Sequence, residues 1–86
     1  MPEILRVLKA RHAGDYRLDL TFNDGSSKVI DLRPHLNGPI FEPLRDREFF
    51  SRGELDPICG TVVWPNGADL APEALMAIEE VSEHAT

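Results

Sequence analysis

The chain has 86 residues, 42% hydrophobic and 28% charged, with a formal net charge of −6. That balance excludes a disordered chain and defines one small globular domain over 1–86, whose size leaves little room for a deep, closed active site. The acidic charge opposes a phosphate backbone at long range, so a nucleic-acid role would need a local basic patch and nucleic acid is not the expected partner. No apolar run nears the roughly 20 residues of a membrane span, and the opening Met-Pro-Glu-Ile-Leu-Arg lacks the order of a secretion signal. A cytoplasmic protein without membrane contact is expected.

Leu5 to Ala10 reads as a first strand, broken by Ala13-Gly14-Asp15. Tyr16, Leu18, Leu20 and Phe22 then alternate with polar residues, the period of two of a strand buried on one face. Asn23-Asp24-Gly25-Ser26 tolerates positive φ and predicts a hairpin to Lys28–Leu32. Pro34, Pro39 and Pro43 forbid long regular structure before residue 44. Asp46 predicts the cap of a short helical turn near 44–51, with Gly53 available to end it. Glu54–Asp56 and Thr61–Trp64 predict a second hairpin around Pro57-Ile58-Cys59-Gly60.

Residues 65–71 connect to a helix over 72–83. Pro72 suits its first position and Glu73 its positive dipole end, and Leu75, Ile78 and Val81 form its apolar stripe. Glu79, Glu80 and Glu83 oppose the dipole, so the last turn is expected to fray. The fold class expected is α+β: a small antiparallel sheet of two hairpins plus an N-terminal strand, one helical turn and a C-terminal helix.

"YRLDLTFNDGSSKVIDLRPHL", followed by "PIFEPLRDREFF" and "GTVVWPNGADLAPEAL", resembles the small bacterial domain of unknown function 2442 family. The likeness runs from about Val7 to Leu75 and rests on the ordered trio Phe-x-Asp-Gly, Leu-x-Asp-x-x-x-Phe and Trp-Pro-Asn-Gly-Ala-Asp-Leu. It implies a compact α+β domain, in longer relatives followed by a helix-turn-helix domain. It also implies a gene neighbour encoding another short protein, and hence a toxin–antitoxin component. No catalytic or binding residue carries over from it. Where many relatives place an acid before the Pro-Glu pair, this chain has Ala71. With its end at Thr86, no DNA-binding domain is expected to follow.

Trp64, Asn66 and Asp69 are candidates for partner binding, an aromatic anchor beside two polar groups. The competing structural account makes Asn66-Gly67 a turn, Asp69 a loop tie and Trp64 a packing residue, and it is the stronger. Arg6, Lys9, Arg11, Arg17 and Arg33 form a candidate basic strip, diluted by Asp15, Asp19 and Asp31 and lacking interleaved aromatic platforms. Asp24 and Asp31 could pair for acid–base work or a hard metal, but the hairpin register is expected to separate them. His12, His35 and His84 lack metal-ligand spacing, and nothing places Cys59 beside a histidine base. One cysteine also makes no internal disulfide, so packing must hold the fold.

No catalytic site, metal or cofactor is therefore expected. The reading is a non-enzymatic protein-interaction module that binds a protein partner or itself through an exposed strand edge, with an antitoxin-like or regulatory role as the form the resemblance implies. The alternatives are a nucleic-acid-binding accessory domain using the basic strip, and a small metal-dependent hydrolase using Asp24, Asp31 and a histidine.

Overall fold

The structure is a computed structural model and describes residues 4–81. Strands β1 (Val7–His12), β2 (Arg17–Phe22) and β3 (Ser27–Asp31) form an antiparallel meander in that order. Two short 3-10 turns, Arg33–His35 and Glu42–Arg45, lead into helix α1 (Arg47–Phe50). Strands β4 (Glu54–Asp56) and β5 (Thr61–Val63) pair next, and helix α2 (Pro72–Ala77) follows. The architecture is α+β, as the alternation and turn signals predict.

The two tight turns of the meander use the expected chemistry. Gly14 and Asp15 carry positive φ of 96° and 44° between β1 and β2, conformations that glycine and aspartate tolerate. At Asn23–Ser26 the Asp24 carboxylate accepts from the Ser26 amide at 2.9 Å and from its hydroxyl at 2.6 Å. The register then pairs Leu18 with Ile30 and Arg17 with Asp31. Leu18, Leu20 and Phe22 all fall on the core face and are buried, as a period of two demands.

The core is completed from the irregular half of the chain. Leu36, Leu44, Phe50, Val62, Trp64, Ala68 and Leu75 pack with the β2 and β3 residues in one cluster. Phe50 is its centre of aromatic contact: Tyr16 meets it edge-on at 5.5 Å, and Trp64 and His12 lie tilted at 5.5 and 5.7 Å. Such offset geometries suit the ring quadrupoles. Asp46 caps α1 as predicted, its carboxylate accepting from the Glu48 amide at 3.0 Å.

Four expectations need correction. The first strand runs over residues 7–12 rather than 5–10, with a register shift between Val7 and Lys9, because the Gly14-Asp15 turn draws β1 forward against β2. The two hairpins do not share one sheet: β4 and β5 make a separate two-stranded sheet, docked on β1 where the Val7 amide donates to the Gly60 carbonyl at 2.8 Å.

The helix predicted over 72–83 ends at Ala77. Ile78 is already extended, with ψ of 133°. The chain then runs beside β3: Glu80 bridges Ile30 and the Val81 amide donates to the Val29 carbonyl at 2.7 Å. Strand bonds replace helical ones where Glu79 and Glu80 would have opposed the helix dipole, and Lys28 Nζ caps the helix by donating to the Met76 carbonyl at 2.8 Å. Residues 82 and 83 of the predicted helix lie outside the described residues. Finally, Gly53 is not a left-handed helix stop; α1 is closed by Ser51 with φ of −67°, and Gly53 has a different reason to be glycine.

Candidate functional site

The connector after β5 is stapled at nearly every residue. The Trp64 amide donates to the Ala68 carbonyl at 2.9 Å and the Gly67 amide to the Trp64 carbonyl at 2.9 Å. Gly67 takes a positive φ of 86°, which the Asn-Gly pair anticipates. Asn66 uses both ends of its amide: Oδ1 accepts from the Ala68 amide at 3.1 Å and Nδ2 donates to the Ile40 carbonyl at 2.9 Å. Asp69 bridges Val63, and the Thr61 hydroxyl donates to the Leu70 carbonyl at 2.5 Å.

Trp64 itself is only 2% exposed. Its Nε1–H donates to the Phe50 carbonyl at 2.8 Å, which ties the connector to the end of α1. A Cβ on Gly53 would stand 2.6 Å from Trp64 Cε2, so the indole reaches that carbonyl only because residue 53 has no side chain. Of the three residues proposed for recognition, Asn66 and Asp69 are exposed and Trp64 is core. A concavity of about 610 Å³ follows the β4–β5 hairpin, walled by Arg52, Glu54, Asp56 and Pro65. Its groups form no nucleophile and base pair.

Asp24 and Asp31 do not meet. Each carboxylate closes its own turn, Asp24 on Ser26 and Asp31 on the Arg33 amide at 2.9 Å. The Ser26 hydroxyl and amide hold the Asp24 carboxyl below the ordinary aspartate range. His12 Nε2 lies 2.9 Å from the Asp15 carbonyl oxygen, which assigns the proton to that nitrogen; His35 is exposed and His84 lies outside the described residues. Cys59 is exposed, and the Asp56 charge pushes its thiol pKa up, with Sγ donating to Asp56 Oδ2 at 3.6 Å. That is opposite to the activation a nucleophilic cysteine needs. Among the described residues no group of three or more His, Cys, Asp or Glu could hold a metal ion.

The basic residues divide. Lys9, Arg11 and Arg17 project from the outer face of the meander, as their register and alternation require. Arg11 pairs with Asp19 at 3.1 Å. Arg17 lies opposite Asp31, but the Asp31 carboxylate is engaged with the Arg33 backbone, and Arg17 Nε is buried without a partner among the described residues. Arg6 instead donates to the Pro57 carbonyl at 2.8 Å, and the Arg33 guanidinium lies 5.0 Å over the Tyr16 ring. No continuous strip of five results.

The two outer edges of the meander differ. At β3 the outward carbonyl of Val29 is taken by Val81. At β1 the Ala13 amide donates to the Arg17 carbonyl at 3.0 Å, which makes residues 13, 11 and 9 the hydrogen-bonded positions toward β2. The N–H and C=O groups of Ala10 and His12 therefore point outward, and none bonds to another backbone group among the described residues. Three exposed aliphatic side chains flank the start of this edge: Ile4 at 82%, Leu8 at 52% and Ile58 at 93%. Ile58 sits in the β4–β5 turn that Arg6 and Val7 hold against β1. This group is not apparent from the sequence pattern; an isoleucine in a turn of Pro, Cys and Gly is its one local signal.

The three-stranded meander, bridged at β3 by the returning chain and flanked at β1 by the β4–β5 hairpin over one aromatic core, defines a small α+β domain. The chain belongs to the family described as "Protein of unknown function (DUF2442)", whose profile matches residues 7–80. No curated protein and no solved structure matches it. Among the described residues no helix is long and apolar enough to cross a membrane.

Proposed function

We propose that this protein is a non-enzymatic interaction module that pairs the outer edge of β1 with a strand of a partner protein or of a second copy. The observation that carries the reading is the short stretch of the β1 edge at Ala10 and His12 whose outward groups bond no backbone among the described residues, beside exposed Leu8 and Ile58. Unpaired strand groups supply directional bonds, and neighbouring apolar side chains supply buried area. Asn66 and Asp69 remain exposed polar groups for a partner. An antitoxin-like or regulatory role for a neighbouring small protein is the specific form that the family context supports.

The test is capture of the tagged, nuclease-treated protein from its native cells, together with measurement of its mass in solution. Amide hydrogen exchange is then compared between the free and assembled forms. The expected result is a stoichiometric partner or a dimer whose formation slows exchange at Ala10 and His12. A monomer without a retained partner, or an assembly that protects other amides alone, would refute edge pairing. Nucleic acid retained only before nuclease treatment, with binding that weakens steeply as salt rises, would move the function to Lys9, Arg11 and Arg17.

A further inference from the structure

Tyr16, Arg33, Leu36 and Arg45 line a notch of about 260 Å³, and both arginines in it are held in place. The Arg33 guanidinium rests over the Tyr16 ring, while its amide is fixed by Asp31. A guanidinium held by a ring through cation–π attraction keeps its five N–H donors available to an anion. Arg45 donates from Nε to the Leu36 carbonyl at 2.9 Å and from Nη2 to Asn37 Oδ1 at 3.1 Å, and the Tyr16 hydroxyl donates to the Arg45 carbonyl. These bonds orient the Arg45 fork and leave its other terminal nitrogen free of protein partners among the described residues.

Arg11, Arg47 and Arg52 each have a carboxylate within salt-bridge distance, at 3.1, 3.6 and 3.2 Å. Arg33 and Arg45, which converge on one concavity, have none among the described residues, in a protein with 15 acidic residues against 9 lysines and arginines. Arg6 and Arg17 also lack a carboxylate within salt-bridge distance among the described residues; what sets Arg33 and Arg45 apart is that two such arginines line one notch. Two guanidinium forks lining one notch, Arg33 over the Tyr16 ring and Arg45 oriented by hydrogen bonds, suit recognition of a planar or tetrahedral oxyanion by charge-assisted hydrogen bonds.

We infer that the Tyr16–Arg33–Arg45 notch is a binding site for a single oxyanion group, a phosphoryl or a carboxylate. This goes beyond the interaction reading and does not depend on the β1 edge. The chemistry shared by the two groups is a compact anion with at least two oxygens that can each accept from a guanidinium N–H. Because the notch opens to solvent, binding weakens as ionic strength rises.

The test follows the arginine side-chain and backbone resonances of the intact protein during separate titrations with inorganic phosphate and with acetate, at constant ionic strength. The expected result is a saturable shift centred on Tyr16, Arg33 and Arg45. It weakens about tenfold in Arg33→Gln, the loss of one charge-assisted hydrogen bond, and is unchanged in Arg11→Gln. Among the described residues the Arg33 side chain makes no hydrogen bond, so a native-like spectrum of the variant is expected and checks that it is folded. Tighter phosphate binding assigns the natural ligand group as phosphoryl, tighter acetate binding as carboxylate, and equal affinity keeps the oxyanion site without that preference. Shifts that rise linearly without saturating, or that persist undiminished in Arg33→Gln, would overturn the assignment. Leu8→Lys, which alters the β1 edge, is expected to leave these shifts intact, so failure of edge pairing and failure of this site are read separately.

Discussion

At Gly53 a single hydrogen in place of a methyl group decides whether the Trp64 indole can reach the Phe50 carbonyl. A methyl there would lie 2.6 Å from the ring, and a rigid indole between Phe50 and Gly53 has little room to retreat. Gly53→Ala is expected to destabilise the fold by about 1–3 kcal/mol, the range for overpacking a core, measured as a drop in the urea midpoint. Trp64→Phe removes the Nε1 donor, orphans a buried carbonyl and leaves a void; a loss of about 2–4 kcal/mol is expected in the same experiment. At Cys59 the prediction concerns reactivity. Since the Asp56 charge is the largest cause of the raised thiol pKa, Asp56→Asn increases the thiolate fraction. Alkylation by iodoacetamide near pH 8 is expected to be faster in the variant than in the wild type. The cap at Asp46 and the turn at Asp24 were legible in the sequence because they act within a few residues. The reason for Gly53 was not, because its partner lies eleven positions away.

Elements repeat that division. The β2–β3 hairpin is written locally: alternation sets the buried face, and Asp24-Gly25 sets the reversal. The Asp24 and Asp56 carboxyls both sit below their ordinary range, Asp24 through bonds from Ser26 and Asp56 through the amides of Ile58 and Cys59. A folded-state pKa below the unfolded one stabilises the fold above the unfolded value, and this contribution disappears as pH falls through the folded value. Stability should therefore decline on acidification below the ordinary aspartate range. Asp24→Asn, which keeps an acceptor but does not titrate, is expected to show a smaller drop in urea midpoint between pH 7 and pH 3 than the wild type. Helix α2 shows the other case. Its start was legible from Pro72 and Glu73, but its end was set by the edge of β3, which offered Val81 a strand bond and Met76 a lysine cap. A stripe of Leu75, Ile78 and Val81 is compatible with a continued helix, and nothing within 78–81 announces the competing edge.

At the scale of the molecule, the asymmetry between the two sheet edges is what gives the domain a direction. The return of the chain at Glu80 and Val81 bridges β3 at Val29 and Ile30, while β1, held by Gly60 at Val7, keeps outward groups without a backbone partner among the described residues at Ala10 and His12, beside exposed Leu8. Leu8→Lys is expected to leave the thermal midpoint nearly unchanged, as exposed substitutions usually do, while abolishing the partner or self-association detected by mass in solution. A loss of folding stability comparable to the loss of association would show that Leu8 serves the fold instead.

From the sequence alone came the α+β class, the first hairpin, the capped turn near residue 46, the connector of residues 64–71 and the family. All of these rest on contacts between residues close in the chain or on an ordered motif. The candidate surfaces depended on the tertiary structure. Trp64 reads as an anchor until the core claims it, five basic residues read as a strip until Arg6 and Arg33 turn to other partners, and Arg45 joins Arg33 only across the folded chain. Exposure, counter-charge and edge coverage are properties of what lies opposite a residue in space, and the pattern of neighbours along a chain does not encode them.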